Sequence, residues 1–195
     1  VSAGSGRERG VALFVMLVFM VVLGLLGSGS LQGALLAEKL TRRQLDRLLA
    51  LQAAEATLHD AELDLEGRRL DGSFCVAGDS GCRPAGERPI AGAAGLSYFN
   101  ALCGSAQSRG QCLRREDAYF ATPVWRDASL LELAASYGQY TATPPYPEVV
   151  RQPRYLIEGF RKAPGYVFRI TVEAYGMHPS TRVMLQSLYL ISEAS

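Results

Sequence analysis

From Val11 to Leu26 the chain is apolar apart from Gly24, and no charged residue occurs between Val11 and Ala37. An α-helix rises about 1.5 Å per residue, so this stretch predicts a helix long enough for a hydrocarbon core of roughly 30 Å. After Lys39 the pattern changes. Leu45, Leu48, Leu49, Leu58, Ala61 and Leu65 recur largely at three- and four-residue spacing, which predicts an amphipathic helix with those residues along one side. Glu38 with Arg42, and Arg42 with Asp46, are spaced for pairing on the other side. Gly67 is the predicted stop. Unbroken from Val11 to Glu66, such a helix would be about 80 Å long. Its softest part lies at Gly24, Gly27, Gly29 and Gly33, since each glycine costs roughly 1 kcal/mol relative to alanine.

The remainder predicts loops followed by a sheet. Residues 67–110 are rich in Gly, Ser and Pro and contain Cys75, Cys82 and Cys103, with Cys112 just beyond. Ala118–Trp125 predicts a short strand, and Ser129–Tyr137 a short helix capped by Ser129 and stopped by Gly138. Thr143–Pro153 is punctuated by proline and predicts irregular chain. Three β runs follow: Arg154–Phe160, Tyr166–Ala174 and Arg182–Ile191. In the second, Tyr166, Phe168, Ile170 and Val172 alternate with Val167, Arg169, Thr171 and Glu173, the period of a sheet with one buried face. Turns at Pro164-Gly165 and at 176–180 would make an antiparallel meander packed on the amphipathic helix. The fold class is therefore α+β: a long N-terminal helix with an apolar half and an amphipathic half, a C-terminal antiparallel sheet at 154–191, and a loop region between them.

The length of 195 residues suits one modest domain with an appendage. Twenty basic residues against nineteen acidic ones give a net charge of +1, so nothing attracts nucleic acid along the whole chain. Local charge says more. Arg7 and Arg9 precede the apolar run with only Glu8 opposing them, a flank that the positive-inside rule keeps cytoplasmic. Everything beyond Ala37 would then face the periplasm or the exterior. A cleaved secretory signal peptide is the competing reading, with Ser28, Gly29 and Ser30 as its cleavage site. Against it, the helical pattern continues through Leu31, Leu35, Leu36 and Leu40. No cysteine belongs to a C-x-x-C pair, which weakens zinc and redox-turn readings. Four cysteines in an oxidising compartment predict two disulfides. Three pairings exist; Cys75 with Cys82 and Cys103 with Cys112 is favoured because short loops close most easily.

No catalytic constellation emerges, and no cofactor or metal is expected. His59 lies among Asp60 and Glu62 on the charged helix and reads as a solvated residue, while His178 precedes Pro179 in a turn. There is no nucleophile elbow and no glycine-rich phosphate loop. Asp64, Glu66, Asp71 and Asp79 lack the ligand spacing of a calcium loop. Arg109, Arg114 and Arg115 form a small basic cluster without interleaved aromatics, so nucleic-acid binding is not expected.

Arg9-Gly10-Val11-Ala12-Leu13 with the apolar run, then Leu31-Gln32, Gln52-Ala53-Ala54-Glu55-Ala56 and Asp60-Ala61-Glu62, resembles the N-terminal region of PilX-type minor pilins of type IV pili. Phe168-Arg169-Ile170-Thr171 and Val183-Met184-Leu185-Gln186-Ser187 resemble the C-terminal end of the same family, whereas the cysteine-rich middle adds nothing to the likeness. The resemblance implies a pilin-like fold and a non-enzymatic role in initiating assembly and at the pilus tip. It implies a cytoplasmic leader at 1–10 cut by a prepilin peptidase between Gly10 and Val11, with methylation of the new amine. It further implies an assembly helix at 11–37 bearing Val15, Leu31 and Leu35, an amphipathic helix at 38–66 and a periplasmic domain at 67–195. The implied partners are other minor pilins, the major pilin, the inner membrane, the peptidase and a pilus-tip adhesin. Major pilins are similar to one another in carrying glutamate at the fifth mature position, where this chain has Val15. Two alternatives stay open at this point: a K-type minor pseudopilin of a type II secretion system, and a secreted disulfide-bonded binding domain.

Overall fold

Helix α1 runs Glu8–Glu66 and stops at Gly67, whose φ of 68° is the left-handed conformation that glycine adopts at helix ends. There the Gly67 N–H donates to the Asp64 carbonyl at 3.1 Å and the Arg68 N–H to the Leu63 carbonyl at 2.8 Å, the paired bonds of a Schellman end. The structure, a computed structural model, describes residues 8–76, 78–83, 96, 99–100, 103–104, 109–113, 127–162 and 165–192, without the side chains of 8–10, 26–35, 162 and 191–192. The chain divides into two units, 1–45 and 46–195.

In the first unit every described side chain from Val11 to Leu25 is exposed. Among the described residues no helix is long and apolar enough to cross a membrane. The span expected at 11–37 therefore stands without structural support, and part of it falls on side chains outside the described residues. Arg42 pairs with Glu38 at 2.6 Å on the surface.

The buried side of α1 keeps part of the expected stripe, with Ala61 and Leu65 buried and Leu49 and Leu58 half-buried, and departs from it in the rest. Leu45, which ends the first unit, and Leu48 are exposed, and the buried positions from Asp46 onward are Asp46, Ala50, Ala53, Ala54, Thr57, Asp60, Ala61, Leu63, Asp64 and Leu65. Small residues let the sheet approach the helix backbone closely, and this decides which face is covered. Asp46 turns into the domain rather than toward Arg42.

Strands β1 (Gln111–Leu113), β2 (Ala135–Ser136), β3 (Arg154–Lys162), β4 (Gly165–Tyr175) and β5 (Arg182–Ser192) form one sheet in the order β1-β3-β4-β5. The β3-β4-β5 meander is antiparallel, with Ile157 opposite Ile170 and Ile170 opposite Ser187. The sheet as a whole is mixed, not antiparallel as expected: β1 runs parallel to β3, and β2 pairs antiparallel with β3 beyond the end of β1. Toward α1 the sheet presents Tyr155, Ile157, Phe168, Ile170, Val172 and Ala174, which pack with Ala53, Ala54, Ala61 and Leu65.

The opposite face of β4 is buried as well, against the expectation of a single covered face. Beside it Cys103, Cys112, Leu131, Ala134 and Leu156 form a second cluster. The polar residues of this face are matched in pairs: Arg169 holds Glu158 at 2.6 and 2.9 Å, and Glu173 takes ion pairs from Arg154 and Arg182. A buried charge is tolerable when it is paired in this way. Helix α2 spans only Ala128–Glu132 and is capped by Asp127, not Ser129, because the Asp127 carboxylate accepts the backbone N–H groups of Ser129 and Leu130. The rest of the expected helix enters β2. The strand expected at 118–125 lies outside the described residues.

Candidate functional site

Two stretches of α1 carry the features that bear on function, one in each unit. In the first, Gly10 and Val11 lie near the start of the helix, and Val15 is 49% exposed among exposed Phe14, Leu17, Val18 and Phe19. Leu31 and Leu35 are helical, but their side chains lie outside the described residues. A solvent-facing helix surface is normally interrupted by polar groups, and from Val11 to Leu25 no charged or polar side chain interrupts this one.

In the second, acidic side chains along α1 each hold a different loop of the domain. Asp46 accepts the Met177 N–H at 2.6 Å and the Thr181 hydroxyl, fixing the turn between β4 and β5. The Thr181 hydroxyl and the backbone N–H groups of Met177 and His178 hold its carboxyl below the ordinary value against the opposing effect of burial. Gly176 allows this approach: a Cβ there would come within 2.2 Å of the Asp46 Oδ1. One stretch further on, Asp60 accepts the Gly138 N–H at 2.8 Å and the hydroxyls of Thr141 and Thr143. Burial nevertheless pushes its carboxyl above the ordinary value.

Asp64 is the most enclosed of the series. Arg83 donates to it from Nε at 2.8 and 3.0 Å and from Nη2 at 2.8 Å, and both side chains are only 1% exposed. The Tyr155 hydroxyl donates to the same carboxylate at 2.8 Å; burial, then the Asp64 charge, holds this phenol well above its ordinary value, so it stays a donor. Arg83 also lies over the Tyr140 ring and donates to the Arg109 carbonyl at 3.0 Å. Because Arg83 follows Cys82, this contact docks the disulfide loop onto the helix. Glu66 ends the series by accepting the Tyr189 hydroxyl at 2.9 Å.

The four cysteines form the bridges Cys75–Cys82 and Cys103–Cys112, the local arrangement. Arg109 spends its guanidinium on the carbonyls of Ala134 and Glu132, while Arg114 and Arg115 lie outside the described residues. Among the described residues no group of three or more His, Cys, Asp or Glu is placed to hold a metal. His59 is an exposed helix residue near Glu62. Sequence reasoning missed Asp46, Asp60, Asp64 and Arg83. The available signal was that these acids fall on the same helical side as Ala50, Ala53, Ala54 and Ala61.

Residues 73–191 match the family described as type IV pilus assembly protein PilX C-term. The chain belongs to the PilX family. No curated protein and no solved structure matches it. The PilX match begins at Ser73 and takes in both disulfides and all five strands almost to the end of β5. This corrects the expectation that the cysteine-rich middle adds nothing to the likeness. Helix α1 precedes the matched PilX segment, so its apolar stretch rests on its own chemistry.

Proposed function

We propose that this PilX-family protein is a minor pilin, held in the inner membrane by the apolar part of α1 with its domain in the periplasm, and that it helps to initiate pilus assembly and resides at the pilus tip. The observation that carries this reading is the unbroken exposed apolar surface from Val11 to Leu25 on a chain of a pilus assembly family. A prepilin peptidase cuts between Gly10 and Val11, and the new amine at Val11 is methylated. The helix from Val11 through Leu31 and Leu35 then packs with other minor pilins and the major pilin, and the domain presents its loops to a tip adhesin.

Val15 sets the position in the filament. A carboxylate buried among apolar helices needs a charged partner, and such a pairing adds direction that side-chain packing lacks. Val15 offers none, whereas the Val11 amine can serve the carboxylate of a neighbour. The subunit therefore suits an end of the filament rather than its repeating shaft.

Mass spectrometry of the mature protein tests the processing step, with Val11 expected as the first residue; a start near Leu31 or Ala34 would refute the membrane-held reading. Quantitative proteomics of sheared pili tests the position. Few copies per pilus are expected, and abundance comparable to the major subunit would exclude the tip.

A further inference from the structure

The proline-rich stretch between β2 and β3 is neither helix nor strand, yet its conformation is closely set. Each proline has a fixed φ, and a residue before proline is confined to extended or polyproline II backbone. Thr143, Pro144 and Tyr146 each precede a proline, and Pro144, Pro145 and Pro147 are prolines themselves. This favours polyproline II backbone over 143–147, a helix of about three residues per turn that puts Pro144 and Pro147 on one edge. Exposure follows that period: Pro144, Pro145 and Pro147 are exposed, while Tyr146 is half-buried and packs against the core.

The rest of the domain clamps this stretch at both ends. At its start Thr141 and Thr143 donate to the Asp60 carboxylate, and the Ala142 N–H donates to the Gly81 carbonyl at 3.1 Å. At its far end Gln152 clasps the Tyr146 backbone, accepting its N–H at 2.8 Å and donating to its carbonyl at 2.9 Å. The Tyr137 ring meets the Tyr146 ring edge-on at 5.7 Å. Among the described residues three other than glycine have a left-handed φ, and two of them, Ala142 at 58° and Glu148 at 60°, bracket the prolines. Such backbone is strained, and it concentrates where a segment must be presented in one shape. Stiffness alone would not call for it, since the prolines already supply that.

We propose that residues 144–147 are a recognition segment, whose Pro144 and Pro147 rings seat in an aromatic-lined groove of a partner protein. Proline-rich segments dock in grooves of that kind, and a segment already in its bound shape loses little entropy on docking. Glu148 refines the partner's chemistry. It is exposed just past Pro147 and has no ion pair among the described residues, while Arg151 lies over the Tyr175 ring. The groove therefore carries a lysine or arginine at that end. A second copy of this chain is the competing occupant. Beyond α1 the exposed aromatic residue among those described is Phe74, and the Arg68 guanidinium lies over its ring at 4.3 Å, so that surface presents no pair of open rings. The inference is independent of where the protein sits in a filament.

The test places a photoreactive phenylalanine analogue singly at Pro145 or Val150 of the full-length protein in piliated cells, with mass spectrometry of the linked peptides. Both positions are expected to link to one other polypeptide, at a surface where aromatic residues and a lysine or arginine flank the linked residue. Pro144→Ala with Pro147→Ala, read from the Val150 probe, should cut the links about tenfold. Glu148→Asn should cut them about threefold at low salt and leave them unchanged at high salt. Asparagine also adopts left-handed backbone, so this variant keeps the turn and decides the matter if the proline pair impairs folding, which the thermal midpoint of the purified protein reports. Links to another copy, to lipid, to scattered proteins or to a surface without aromatic residues, links undiminished in the variants, or none at all would overturn the proposal.

Discussion

Val11–Leu25 and Asp46–Glu66 are stretches of one helix with opposite relations to the chain that contains them. The first is apolar throughout, yet all its described side chains are exposed; the second buries carboxylates while its own Leu48 stays outside. Hydrophobicity alone would assign the burial the other way round. What decides it is the partner. Alanines admit a sheet closely enough for Asp46, Asp60 and Asp64 to reach donors on the loops and on β3, whereas the described side chains of the apolar stretch are exposed.

The comparison breaks most sharply at Asp64. Asp64→Ala leaves the Arg83 guanidinium buried without its counter-charge and should cost about 3–5 kcal/mol, read from urea or thermal unfolding of the protein. Replacing Cys103 and Cys112 together by serine should cost about 2–4 kcal/mol and loosen β1, seen as faster amide exchange at Gln111–Leu113. Ala54→Leu adds bulk where the sheet lies against the helix and should cost about 1–3 kcal/mol.

A smaller, signed effect separates two acids of the same helix. The Asp60 carboxyl is raised, so the folded state holds its proton more tightly, and the stability linked to that proton is lost as pH rises from the unfolded value of 3.8 through the folded one. Asp60→Asn should remove this fall. Asp46 is lowered, so its contribution is present above 3.8 and is lost as pH falls through its folded value. Unfolding titrations of D60N and D46N should therefore depart from the parent with opposite slopes. The smallest effect is expected at Val15: Val15→Ser should move domain stability by no more than about 0.5 kcal/mol, because the side chain is exposed. A larger loss would show that the apolar stretch supports the fold after all.

Much of this architecture is legible in the sequence where a local rule governs it. Gly67 ends the helix through its positive φ, the three C-terminal strands follow their alternation and turn signals, and 143–153 forms neither helix nor strand. The misses share a cause. Arg169 and Glu173 read as a solvent face because charge ordinarily means exposure; their partners, Glu158 and Arg154, lie across the sheet and are invisible to a short window. Strands β1 and β2 are too short for any period to register, and they form because β3 offers an open edge to them. Asp127 takes the cap from Ser129 because the helix begins at Ala128. The acid series was misread for the same reason as the strands: Asp64 and Tyr155 meet only after folding.

The acid series also has a mechanical side. A force drawn along the axis of α1 would load the attachments at Asp46, Asp60, Asp64 and Glu66 side by side, because each ties a separate loop or strand to the same rod. Rupture would then demand that several attachments shear almost at once, whereas contacts gathered at one end would peel one after another. A domain fastened in this way would need a larger force to part from its helix than one whose contacts are loaded in sequence.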